Sequence, residues 1–254
     1  MRRVRGSTSA LMAAALLALV AAPRVAAAQA LPSAKELMDR HDAAVGGRAA
    51  LDKHSSIRRV GSMNIAAMGM QGQVEMMQDK TGRYIQKIQL GPVGDVQQGF
   101  DGKTAWVVQP GMGPMLLDGD QAKEMQKQGD FFGSLHDASN YASAETVELA
   151  DFEGRKCYKV KLVRKVGGEG YEYFDAATGL TAGVVRDIDT PTGKVTSTQI
   201  VGDYKDFDGI KIPTKIQSKN GQFDMTMSFS AVEFDKVDTA AFTLPDAVKA
   251  LVKP

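Results

Sequence analysis

The sequence predicts a mainly β protein with helices (α+β), built on one antiparallel sheet of about ten or eleven strands. Three observations carry that prediction. From Ile57 onward apolar residues recur with a period of two. Turn signals rich in Asp and Gly punctuate the chain at spacings of roughly 10 to 25 residues, the rhythm of successive hairpins. A single polar, helix-compatible stretch interrupts the strands. An open antiparallel sheet of that width curls strongly or closes on itself.

Residues 1–30 read as a leader outside the fold. Arg2, Arg3 and Arg5 precede an uninterrupted apolar run from Ala10 to Ala22, and Pro23 ends the run. Ala28 and Ala30 stand at the −3 and −1 positions of a signal-peptidase site. Thirteen apolar residues fall short of the roughly 20 that a membrane-spanning helix needs. The expected mature chain is therefore a single exported domain, residues 31–254, without a transmembrane span and in the periplasm. Its first residue, Leu31, is not a cysteine, so no lipid anchor is expected. The full chain has a formal charge of +1, and the leader carries four arginines. The remainder holds 27 basic and 30 acidic residues, a balance that does not favour nucleic acid as a partner. The one cysteine, Cys157, cannot close an internal disulfide.

The first element after the leader is a helix. Ser33 and Glu36 have capping-box spacing, and Leu37, His41, Ala44 and Val45 share one face. Gly46-Gly47 ends it, and Ala49–Lys53 is expected as a second short helix. Strand patterns follow around Tyr84–Leu90, Tyr158–Leu162 and Leu180–Ile188. In the last long strand Phe223, Met225, Met227 and Phe229 alternate with polar residues. The phase then slips to Val232 and Phe234, which predicts a bulge near Ser230 or Ala231. Asp79–Gly82, Asp101-Gly102, Glu153-Gly154, Asp175–Gly179, Asp189–Gly193 and Asp208-Gly209 read as turns. Asp118–Lys127 is the helix-compatible interruption.

Catalytic chemistry finds no motif. His41, His54 and His136 lack His-x-His or His-Glu-x-x-His spacing. There is no Gly-x-Ser-x-Gly elbow and no phosphate loop. No catalytic residue, metal ligand or cofactor is predicted, and the expectation is a non-enzyme. Eleven methionines follow the leader, five of them between positions 63 and 77. Their flexible thioethers suit the lining of an apolar pocket. Cu(I) binding, with Met68 and Met70 as the first ligands to test, is the alternative use.

Several segments, taken in order, resemble the lipoprotein-localisation (LolA/LolB-like) superfamily and secreted outer-membrane lipoprotein-sorting-like proteins. They are Ala43–Leu51 with Ile57–Gly61, Gly99–Trp106, Asp203–Pro213 and Phe242–Pro245. The resemblance implies that the curved sheet is an incomplete barrel, with helices on its concave side and a cavity for acyl chains. The expected lining is Met76, Ile88, Trp106, Tyr173, Phe223, Met225, Met227 and Phe229. The function so implied is a non-enzymatic carrier or sensor of a lipid, a lipoprotein acyl chain or another apolar ligand. The other readings are an interaction module serving an envelope protein partner, a Cu(I)-binding protein and a secreted hydrolase.

Overall fold

A computed structural model describes residues 30–165, 168–190, 193–221 and 224–252. Apart from Ala30, the predicted leader lies outside the described residues.

Ser33 opens helix α1 (Ala34–Ala44) with a reciprocal capping box: its Oγ accepts from Glu36 N, and Glu36 Oε2 accepts from Ser33 N at 2.7 Å. Gly46, at φ 109°, turns the chain straight into α2 (Gly47–Leu51). This helix begins two residues before the expected Ala49, because the left-handed glycine needs no intervening loop.

Six strands then form a meander: β1 (Ser56–Ile65), β2 (Met70–Asp79), β3 (Tyr84–Gln89), β4 (Asp95–Phe100), β5 (Ala105–Gln109) and β6 (Gly113–Leu117). Helix α3 (Gly119–Gln128) follows, where the polar interruption predicted it. A second meander comprises β7 (Tyr141–Phe152), β8 (Arg155–Arg164), β9 (Glu169–Asp175), β10 (Thr181–Thr190), β11 (Gly193–Phe207), β12 (Ile210–Lys219) and β13 (Asp224–Phe234). The chain ends with α4 (Asp246–Lys249).

All thirteen strands belong to one curved antiparallel sheet that does not close. Its order is β6-β5-β4-β3-β2-β1-β13-β12-β11-β10-β9-β8-β7. The first and last strands meet in the middle, and β6 and β7 are the two free edges. Thirteen strands exceed the expected ten or eleven. Strands as short as β5 and β6, or as polar and exposed as β7, carry little apolar alternation to be read.

The hairpins form at the predicted turns. Glu153-Gly154 and Asp208-Gly209 both have two positive φ angles (50° and 76°, 54° and 81°), the geometry that matches strand twist in two-residue loops. Thr190 pairs with Gly193 across a turn whose two central residues lie outside the described set. The predicted bulge is present: Val60 pairs with Ala231 and Gly61 with Phe229, leaving Ser230 as the extra residue.

Cross-strand partners share a face, so register assigns every strand residue to one of two surfaces. The row Tyr84–Gln78–Ile57–Phe234 lies under α2 and α3. On the same face α1 buries Leu37 and Met38 against Val160, Leu162 and Phe174. The opposite face carries Met77, Ile85 and Trp106, which the C-terminal segment covers with Phe242 and Val248. Cys157 also points to that opposite side and is fully buried, and burial raises its thiol pKa.

Candidate ligand-binding face

The helix-covered face bears a continuous apolar track across its centre. One row runs Phe229–Gly61–Val74–Ile88–Val96, each residue the direct partner of the next. The adjacent row runs Val201–Ile216–Met227–Met63–Gly72. A third contains Met225, Ile65 and Met70. Val74, Met63 and Phe229 are buried, whereas Met225, Met227, Ile88, Ile216 and Met70 keep part of their surface. The half-buried methionines are adaptable apolar surface rather than fixed core.

Five of the predicted lining residues lie on this face: Ile88, Met225, Met227 and Phe229 in the track, and Met76 beside it, packed with Tyr84 and Met125. Two do not. Trp106 is 2% exposed and points to the opposite face, into the cluster closed by the C-terminal segment. Its neighbour Ala105 takes the place under α3. Tyr173 is also on the opposite face, stacked on Phe152 with 4.1 Å between ring centroids. Phe223 lies outside the described residues. Period two groups residues into sets without saying which set faces the helices, and Trp106 and Tyr173 fall on the face opposite the other five. A usable signal was Gly99. It pairs with Trp106, and a Cβ there would lie 3.2 Å from the indole.

Met68, on the exposed turn between β1 and β2, is 59% accessible, while Met70 opens β2 beside Ile65.

A cleft of about 750 Å³ separates α3 from the ends of β9–β11. Its lining is largely charged, with Tyr171 and Ile188 as the large apolar members. Asp120, Lys123, Glu124 and Lys127 face Glu169, Arg186, Asp187 and Lys194. The apolar track is thus a sheet surface distinct from this polar cleft.

Beside the track lies Arg59, which sequence reading did not single out. It pairs with Met76 and Val232 and shares their face. Its Nε is sealed from solvent and has no hydrogen-bond partner. Burial lowers its pKa, and the Tyr84 phenol opposes that shift. Nearby, Gln98 Nε2 donates to Gln86 Oε1 at 2.6 Å.

A second polar group ties α1 to the sheet. His136 donates from Nδ1 to Asp42 at 2.8 Å and from Nε2 to Glu172 at 3.2 Å. Thr181 Oγ1 donates to the other Glu172 oxygen at 2.7 Å. Burial disfavours the charge on His136, but the two carboxylates outweigh it and hold its pKa up at about 9. Glu172 is correspondingly held down at about 2 against its own burial. His41 behaves differently. Its Nδ1 accepts from Thr181 N at 3.0 Å, so Nε2–H donates to Ser134 O at 3.2 Å. That fixes the neutral tautomer, and burial lowers its pKa. His41, Asp42 and His136 place ligand-type atoms within 4.8 Å of one another. Each of those atoms is already engaged, so the cluster works as a clamp between α1, the loop after α3 and strands β9 and β10.

A half-open antiparallel sheet of two meanders, with α1, α2 and α3 on one apolar face and the short α4 on the other, is the LolA-like fold. The chain shares it with three solved structures. A DUF1329 family protein from Desulfovibrio piger superposes with a TM-score of 0.58 at 12% identity, over 83% of this chain and 97% of that one. A putative outer membrane lipoprotein-sorting protein domain from Vibrio parahaemolyticus gives 0.55 at 11%, over 82% and 94%. A LolA superfamily protein from Nitrosomonas europaea gives 0.53 at 10%, over 84% and 99%. No protein-family model and no curated protein matches the chain.

Proposed function

We propose that the protein is an exported, non-enzymatic carrier or sensor that binds a lipid, a lipoprotein acyl chain or another apolar ligand. The observation that carries this reading is the apolar track, a run of partly uncovered methionine and branched side chains on the helix-covered face of an unclosed sheet. Each methylene moved onto such a surface contributes about 0.8 kcal/mol, so an acyl chain binds there without a sharp polar motif. The structural neighbour described as a putative lipoprotein-sorting domain supports the same class of ligand. The signal-peptide pattern of residues 1–30 supports a periplasmic location. Among the described residues no helix is long and apolar enough to cross a membrane.

Native mass spectrometry of protein purified from its own compartment tests the reading. A co-purifying lipid or acyl species is expected. Protein that carries no extractable lipid and binds no alkyl-chain probe would overturn it.

A further inference from the structure

Arg58 and Arg59 are consecutive in β1 and face opposite sides of the sheet. Arg58 donates to Glu75 at 2.6 Å and to Glu233 at 2.7 Å. Those are the carboxylates that β2 and β13 bring nearest to the pair, and both project to the face opposite the helices with Arg58. Arg59, on the helix-covered face, is left among Met76, Val232, Ile57 and Gly61, with no ion pair or hydrogen bond among the described residues.

Arg59 is partly buried, its Nε sealed from solvent, and a guanidinium so placed without a counter-charge is costly; folded proteins ordinarily supply a carboxylate. An anion arriving with a ligand removes that cost. Guanidinium forks match the planar oxygens of a carboxylate and the oxygens of a phosphate. The surroundings fit the same ligand. The apolar track starts at Gly61 and Phe229, the next positions on the same face, and runs toward Met227 and Met225. Tyr84 and Gln98 stand on the other side as neutral polar groups.

Resting on the apolar-ligand reading above, we propose that Arg59 is the head-group site for an amphiphile with one oxyanion head, a carboxylate or a phosphate, whose alkyl chain lies along the Phe229–Met227–Met225 track. The protein therefore selects anionic amphiphiles over neutral ones of equal chain length.

Calorimetric titration of the purified mature protein with laurate, methyl laurate and dodecyl phosphate tests this. The expected result is that laurate or dodecyl phosphate binds at least about tenfold more tightly than methyl laurate. Whichever anion binds more tightly identifies the head group. Arg59→Met is expected to abolish the preference while retaining methyl laurate binding, and Arg59→Lys to keep part of it. Equal affinity of the wild-type protein for charged and neutral amphiphiles overturns the head-group assignment and leaves the apolar-ligand reading standing. Failure to bind any of the three overturns both. The wild-type comparison needs no substitution, so it holds even if Arg59→Met does not fold.

Discussion

His136 stands 3.2 Å from Glu172 and 2.8 Å from Asp42, an imidazolium enclosed by two carboxylates that lie on different elements. Asp42 belongs to α1 and Glu172 to β9, so the charge of His136 binds the first helix to the second meander. The His136 and Glu172 side chains are 7% and 9% exposed, which removes the solvent screening that makes surface pairs weak.

The clamp sets the pH range of stability. The raised pKa of His136 gives stabilisation that is complete below its ordinary value near 6.5 and is lost as pH rises through about 9. The depressed pKa of Glu172 gives stabilisation that is complete above about 4.5 and is lost as pH falls through about 2. His41, held neutral by burial, contributes stabilisation that is lost as acid forces a proton onto it. Thermal melts across pH are expected to fall between pH 7 and 9.5. His136→Gln should remove that fall and cost roughly 3 kcal/mol or more at neutral pH, because Glu172 then loses its cation. A variant that melts like wild type at every pH would falsify the clamp.

Trp106, the single tryptophan, reports on the C-terminal segment rather than on the proposed ligand face. Deleting residues 239–254 uncovers Trp106, Met77 and Ile85. A red shift of tryptophan emission and a lower melting temperature are expected. Titration of the intact protein with an alkyl-chain probe should leave the emission maximum in place.

Placing a charge on the track tests binding apart from folding. Met225 and Met227 are only half-buried, so Met225→Glu and Met227→Glu should keep the fold, checked by circular dichroism. Affinity for an alkyl-chain probe should fall at least about tenfold, since burying an unpaired carboxylate beside the chain is costly. Tyr173→Phe, on the opposite face, serves as the control and should leave affinity unchanged.

Gly61 tests the seam between the two meanders. A Cβ there would lie 2.0 Å from Ser228 O, a backbone atom that cannot step aside alone. Gly61→Ala is expected to cost about 1–3 kcal/mol in chemical denaturation.

Export predicts processing. The intact mass of protein recovered from the periplasm should correspond to a chain beginning at Leu31. Recovery with residues 1–30 attached overturns the leader reading.

Local features were legible because they depend on neighbours in sequence. Ser33 and Glu36 gave away the capping box, Asp-Gly pairs the hairpins, and the slip from Phe229 to Val232 the bulge at Ser230. The candidate site was legible in part. Met225, Met227 and Phe229 share a phase within one strand, and Met76 and Ile88 join them only through pairing with other strands.

Long-range pairing decided the rest. A period of two separates the faces of a strand but does not say which one α1, α2 and α3 cover, so the pattern alone does not separate Trp106 and Tyr173 from Met227 and Phe229. His136 and Glu172 are 36 residues apart, and nothing between them announces the contact. Arg58 and Arg59 look equivalent as letters. The registers of β2 and β13 deliver Glu75 and Glu233 to one side of the sheet, and that arrangement pairs one arginine while leaving the other alone on the apolar face.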